Sequence, residues 1–174
     1  MNLYSIKVIK ELLKAHETTL QKHLGQNFLL EKKIASKMLV AAELSDKDTV
    51  YEIGPGLGTL TKELAQNTSK VIAIEKDPAM VKILKETTKD LLNIQIIQAD
   101  VLKAALPQDR YKVVANLPYY LTSPAIRMFL EAQNKPELMV FMVQKEIAQR
   151  ICAKPPNMSI LAVSVQFYAK VKIV

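Results

Sequence analysis

A chain of 174 residues, 49% of them hydrophobic, has the size and apolar content of one folded unit with its own core. No run of eighteen apolar residues occurs and charges are spread through Met1–Glu17, which argues against a membrane span and a secretory signal peptide and makes a cytoplasmic location the expectation. One cysteine, Cys152, excludes an intramolecular disulfide and a cysteine zinc site, while 24 Lys+Arg against 17 Asp+Glu leave a net charge of +7 that favours an anionic partner such as nucleic acid without naming it.

In chain order, the first 48 residues read as an N-terminal helical segment: a helix near Ser5–His16, a polar stretch Glu17–Asn27, and a second helix near Glu31–Ala42. Residues 49–174 read as an α/β domain, because short apolar runs alternate with helical patterns, the signature of a mainly parallel sheet with helices on both faces. The expected strands are Thr49–Ile53, Lys70–Ile74, Asn93–Gln98, Tyr111–Asn116 and Leu138–Gln144; the helices between and after them are Thr59–Gln66, Pro78–Thr88, Pro124–Ala132 and Lys145–Ala153. Asp77 before Pro78 and Ser123 before Pro124 each place a capping residue ahead of a proline that can open a helix. Periodicity leaves Ser159–Tyr168 open between helix and strand, and Ala169–Val174 alternates like the beginning of a strand.

Three features converge on the carboxyl ends of the first three strands, where an open α/β sheet receives its ligands. Glu52-Ile53-Gly54-Pro55-Gly56-Leu57-Gly58-Thr59 joins a strand to a helix, and Gly54 and Gly56 let backbone approach a ligand closely. Thr59 stands where a dinucleotide fingerprint wants glycine or alanine, so the spacing favours S-adenosylmethionine. Glu75 ends the second strand, where an acid can accept both ribose hydroxyls, and Asp100 ends the third, where it can accept from an adenine amine while the Val101 amide donates to a ring nitrogen. Each acid alone would pass for a solvated strand end.

Asn116-Leu117-Pro118-Tyr119-Tyr120 closes the fourth strand at the same crevice. Methylating an exocyclic amine requires freeing a lone pair delocalised into the ring. The Asn116 side-chain oxygen and the Leu117 carbonyl, stiffened by Pro118, can accept the amine protons and align the nitrogen, and Tyr119 can stack on a flipped base. Read blandly, the same five residues are a loop in which Asn caps, Pro bends and the tyrosines pack.

From about Lys22 to its final residue the chain resembles the ribosomal RNA adenine N6,N6-dimethyltransferase family. The resemblance rests on Leu24–Leu29, Glu52–Thr61, Glu75, Gln98–Val101, Asn116–Tyr120 and Val143–Glu146. It implies a Rossmann-like class I methyltransferase fold and S-adenosyl-L-methionine as methyl donor, with S-adenosyl-L-homocysteine as product. It also implies that Asn27 and Leu29 join Gly54, Glu75, Asp100 and Asn116 in holding the cofactor, with Gln26 alongside; read by themselves, Gln26 and Asn27 are only a polar turn before a helix. The implied substrate is small-subunit ribosomal RNA, dimethylated at adjacent adenosines near its 3' end within an assembly intermediate, by a monomer that needs no metal or membrane. Family members continue into a seventh strand, set between the fifth and sixth, and a helical second domain. Nothing here matches either, so an incomplete catalytic domain is expected, with Leu138–Gln144 as an uncovered edge prone to association.

Basic residues at Lys22-His23, Lys32-Lys33 and Lys145/Arg150 are candidate phosphate contacts or ordinary solvated faces. Three other readings share these motifs. A large-subunit ribosomal RNA methyltransferase of the antibiotic-resistance type differs in its RNA. A DNA adenine methyltransferase more often carries proline where Leu117 stands. A non-catalytic ribosome-assembly or transcription factor would need no turnover, against which Asn116 and Tyr119 argue.

Overall fold

The computed structural model describes residues 1–19 and 28–174. Five parallel strands, β1 (Thr49–Ile53), β2 (Lys70–Glu75), β3 (Ile94–Gln98), β4 (Lys112–Asn116) and β5 (Leu138–Met142), form one sheet in the order β3-β2-β1-β4-β5. Helices α1 (Ile6–Ala15), α2 (Lys32–Ala41), α3 (Thr59–Ala65), α4 (Pro78–Thr87), α5 (Tyr119–Glu131), α6 (Lys145–Ile151) and α7 (Ile160–Tyr168) accompany it.

Alternation along each strand divides the core in two. Val50, Val71, Ala73, Val114 and Val140 face α2 and α3 through Ala35, Met38, Leu60 and Leu64. Tyr51, Ile53, Ile74, Val113 and Ala115 face α5 through Leu121, Ala125 and Phe129. The central strands are covered on both sides, which is why they read as nearly continuous apolar runs. Burial of each Val, Ile or Leu contributes about 1.5–3 kcal/mol, and the Tyr51 ring adds edge-on contacts to Tyr111 and Phe129, with centroids 6.3 and 5.9 Å away. A third cluster seats Ile9, Leu12 and Leu13 of α1 on Leu57, Met80 and Ile83, and His16 Nε2 lies 2.7 Å from Glu86 Oε2.

The expected strands and most helices are present with ends within two residues of expectation. Asp77 caps α4 by accepting from the Ala79 N–H at 2.8 Å. The helix expected from Pro124 begins instead at Tyr119, and Ser123 lies within it rather than capping it. Pro118 is the N-cap residue, and Leu121 and Thr122 share the buried face of Ala125, Ile126 and Phe129, so side-chain burial carries the helix back five residues through a proline that lacks only one donor.

Ser159–Tyr168 resolves as a helix, with Ser159 Oγ accepting from Ala162 N–H at 3.3 Å. Its Gln166 amide donates to the carbonyls of Ile151 (2.7 Å) and Ala153 (2.9 Å), satisfying groups that the end of α6 leaves open. Ala169–Val174 is not a strand. Its alternation is met by one-sided packing: Ala169 and Val171 lie on the cluster of Met139 and Phe141, and Lys170 and Lys172 point to solvent. As expected, β5 is an edge strand of the sheet. Among the described residues no helix is long and apolar enough to cross a membrane.

Candidate active site

Strand register builds the site. Glu52 of β1 stands level with Ala73 of β2 and Val114 of β4. Two residues further on, and therefore on the same face, are Glu75 and Asn116, the last residues of β2 and β4. Two carboxyls and a carboxamide thus share one side of the sheet at its carboxyl end. Asp100 lies two residues past Gln98, the partner of Glu75 on β3.

The β1–α3 loop closes over these groups. Gly54, Gly56 and Gly58 have φ of +62°, +56° and +89°, values that L side chains rarely adopt. A Cβ at Gly54 would meet nothing within 4 Å, so that side of the loop is open for a ligand, whereas one at Gly58 would press on α4, 2.8 Å from Leu84 Cδ1. The loop is fastened to the acid beneath it: Gly56 N–H donates to Glu75 Oε2 at 3.0 Å, and Asp77 N–H to Oε1 at 2.9 Å. Burial pushes the Glu75 carboxyl above the ordinary value, and these backbone donors offset only part of the rise. Asp100 is the opposite case. Lys76 Nζ at 3.0 Å, and the Leu102 N–H at 3.1 Å, hold its carboxyl below the ordinary value.

Leu29, Gly54, Gly56, Glu75, Asp100, Val101, Asn116 and Pro118, all singled out from the sequence, line one cleft. Leu117 is buried behind it, its N–H donating to the Met142 carbonyl at 3.0 Å. Tyr119 stands outside the lining, 65% exposed at the first turn of α5. Gln26 and Asn27 lie outside the described residues. The structure adds Phe28, Glu52, Lys76 and Tyr120 to the cleft. Of these Glu52 carried a signal, as an acid at an inward position of an otherwise apolar strand. Burial pushes its carboxyl from 4.5 up to about 8. Glu52 Oε2 and Thr61 Oγ1 are buried without a hydrogen-bond partner, a condition that a ligand with donor groups would relieve.

The donor set suits an adenosine-like ligand carrying an amino-acid end: hydrogen-bonded acids at the end of β2 and just past the end of β3, an open glycine turn, and unsatisfied oxygens below it. Among the described residues no group of three or more His, Cys, Asp or Glu side chains is placed to hold a metal ion.

Comparison with known proteins gives the family. The sequence model of the family described as "Ribosomal RNA adenine dimethylase" matches residues 17–174. A "Ribosomal RNA small subunit methyltransferase A" of Dehalococcoides mccartyi is 46% identical over 170 residues, which are 95% of this chain and 58% of that protein. Its namesake in Enterococcus faecalis is 41% identical over 175 residues, 94% of this chain and 59% of that one. The chain therefore spans somewhat over half the length of these curated relatives. Among solved structures, a dimethyladenosine transferase from Plasmodium falciparum superposes with a TM-score of 0.73 at 31% identity, covering 80% of this chain and 52% of that one. The 23S rRNA methyltransferase ErmE superposes with a TM-score of 0.72 at 34% identity, covering 80% and 57%.

Proposed function

We propose, from the premise that this chain belongs to the ribosomal RNA adenine dimethylase family, that it binds S-adenosylmethionine in the cleft and takes part in methylating N6 of adenine in small-subunit ribosomal RNA. The observation that carries this reading is the meeting of the glycine loop, Glu75, Asp100 and Asn116 at the carboxyl end of one sheet. The names of the curated relatives favour small-subunit over large-subunit RNA.

When bound, the donor supplies a methyl on a positively charged sulfur. Glu75 accepts from its ribose hydroxyls while keeping the Gly56 and Asp77 amides. Asp100, kept ionised by Lys76 and the Leu102 amide, accepts from the adenine amine, and the Val101 N–H donates to the ring. Leu29 closes the apolar side, and by resemblance to the family Gln26 and Asn27 also serve to hold the donor. At the other end, the Asn116 side-chain oxygen and the Leu117 carbonyl accept the protons of the target amine. Its lone pair is then available, and Pro118, with φ of −66°, keeps the two acceptors in fixed relation. No strong base is required, because the amine becomes acidic once methylated. Tyr119, exposed at the first turn of α5, stacks on a base drawn out of the RNA. Two methyl additions, at adjacent adenosines near the 3' end of the RNA, are part of the proposal, as is action in the cytoplasm on an assembly intermediate.

Calorimetric titration of S-adenosylmethionine into the chain tests the pocket, with Glu75→Ala and Asn116→Ala as controls. Saturable binding that Glu75→Ala abolishes is expected. Transfer of labelled methyl groups is then compared on unmethylated small subunits, on protein-free small-subunit RNA and on large-subunit RNA. Label confined to large-subunit RNA would replace the substrate proposed here, and no binding by the folded chain would refute the reading.

A further inference from the structure

Lys76 and Tyr120 line the cleft, and neither has been given a task toward the RNA. Lys76 follows the last residue of β2, and Tyr120 stands in the first turn of α5, just after β4. They reach the cleft from opposite sides of β1, and both are more than half exposed, 60% for the Lys76 side chain and 53% for Tyr120. The Tyr120 hydroxyl is near enough to act on the Lys76 ammonium. An ion pair as exposed as Lys76 with Asp100 contributes little to stability. Its weight lies in where it sits. Asp100 Oδ1 accepts from the Leu102 N–H at 3.1 Å, so Oδ2 is the oxygen left for an adenine amine, and Lys76 Nζ occupies it at 3.0 Å. An amine and an ammonium cannot both take that place. A lysine head on a flexible four-carbon stem gives way easily, and after it leaves, the Leu102 N–H and the nearby Lys103 still bear on the carboxylate. Among the described residues lining the cleft, Lys76 is the one cation, against the carboxyls of Glu52, Glu75 and Asp100. A polyanionic strand meets repulsion at such a rim unless that cation turns outward to it.

We propose that Lys76 and Tyr120 together grip a phosphate of the target RNA strand, and that Lys76 is freed for this when the donor's adenine displaces it from Asp100. The inference rests on the donor reading given above. Tyr120 directly follows Tyr119, the ring that stacks on the base in that reading, so the grip acts on the strand that delivers the base. In the free protein Asp100 holds the lysine back. Once the adenine amine donates to Asp100 Oδ2, the ammonium and the Tyr120 O–H both donate to phosphate oxygens. Donor and RNA then tighten each other's binding by the same factor, because the two equilibria share one lysine.

Methylthioadenosine, which has the adenine but no charged group, isolates the displacement. In calorimetric titration Lys76→Gln should bind it about two- to fivefold more tightly than wild type, a gap that closes as salt screens the ion pair. Equal or weaker binding by Lys76→Gln would overturn the displacement. The grip is read by fluorescence anisotropy of a labelled single-stranded fragment of small-subunit RNA, with and without saturating methylthioadenosine, across a range of salt. In the wild type the nucleoside should raise RNA affinity at least about fivefold and steepen the dependence on log salt by about 0.7, the increment of one phosphate contact. Lys76→Gln should lose both effects, and Tyr120→Phe should keep the steeper salt dependence while losing part of the gain in affinity. A gain that survives in Lys76→Gln, a wild-type salt dependence that the nucleoside leaves unchanged, or a Tyr120→Phe protein matching wild type would each overturn the proposal. RNA that binds no form of the protein would do the same. Failure of methylthioadenosine and S-adenosylmethionine alike to bind would instead remove the donor reading itself.

Discussion

Two glycines four residues apart in one loop should fail in different ways when each is replaced by alanine. At Gly58 the new Cβ would lie 2.8 Å from Leu84 Cδ1, 3.0 Å from Thr87 Oγ1 and 3.2 Å from Thr88 Cγ2. None of these can yield cheaply. Leu84 is wholly buried, Thr87 Oγ1 donates to the Leu57 carbonyl at 2.8 Å, and Thr88 Oγ1 donates to the Leu84 carbonyl at 2.6 Å. Crowding of this kind costs about 1–3 kcal/mol, and a left-handed backbone with a Cβ costs about 1–2 more. A loss of about 3 kcal/mol, at roughly 2–4 °C per kcal/mol for a chain of this length, lowers Tm by about 6–12 °C.

At Gly54 only the backbone cost of about 1–2 kcal/mol applies, because the Cβ meets nothing within 4 Å. That empty space is where the donor would lie, so Gly54→Ala should weaken binding at least about tenfold, or 1.4 kcal/mol, with a modest fall in Tm. Differential scanning fluorimetry and calorimetric titration on both variants separate the two effects. A Gly58→Ala protein melting within about 2 °C of wild type, or a Gly54→Ala protein with wild-type affinity, would show that the loop geometry has been misread.

Three further outcomes are expected. Asp48 Oδ2 accepts from Ser45 N–H (2.6 Å), Ser45 Oγ (3.0 Å) and Lys112 Nζ (3.0 Å), which hold its carboxyl below the ordinary value although burial works the other way. Urea denaturation of Asp48→Asn should show a loss of about 1–3 kcal/mol at pH 7. A lowered carboxyl stabilises above its unfolded value, so this difference should shrink as pH falls below about 4; an unchanged gap at pH 2.5 would contradict the assignment. Glu52 has the opposite sign, since its folded value of about 8 lies above its ordinary 4.5 and wild-type stability falls as pH rises between them. Glu52→Gln should therefore gain on wild type by up to about 1.4 kcal/mol per pH unit across that window, and denaturation at pH 5 and 8.5 would expose a flat difference if the acid were in fact ionised. Tyr119→Ala should keep donor affinity within about twofold but lose roughly 5- to 150-fold in methyl transfer to RNA, the worth of one stacked base at about 1–3 kcal/mol; a matching loss of donor binding would place the ring in the cofactor pocket instead.

Much of this architecture was legible because each element obeyed one dominant rule. Buried parallel strands are short apolar runs, and Asp77-Pro78 combines a cap with a proline at the first helical position, so β1–β4 and α4 were readable nearly to the residue. The Ser123-Pro124 pair carries the same local signal and misled, because burial of Leu121 and Thr122 outweighs the preference of proline for a helix start. Alternation in Ala169–Val174 does not distinguish a hydrogen-bonded strand from an extended segment lying on a core, and here Ala169 and Val171 do the second. In the cleft, the residues that the sequence supplied were those at strand ends and in glycine turns, where local chemistry is conspicuous. Glu52 stands in the loop motif without a task that local sequence conveys, because its significance depends on two neighbouring strands and on Thr61, nine residues further along the chain. Phe28 and Tyr120 reach the cleft by tertiary packing, which no spacing rule conveys.

The placement of Glu52, Glu75 and Asn116 by alternate residues of three strands makes ligand binding a form of proofreading. If β2 slipped by one position against β1, Ile74 would take the place of Glu75 on the cleft side, and a slip of β4 would offer Ala115 for Asn116. A compact but mispaired sheet would retain its hydrophobic burial and lose its affinity together. A donor that binds only the correctly paired chain would draw the population toward it by mass action, so the fraction of a preparation able to bind ligand measures how much of it has folded correctly.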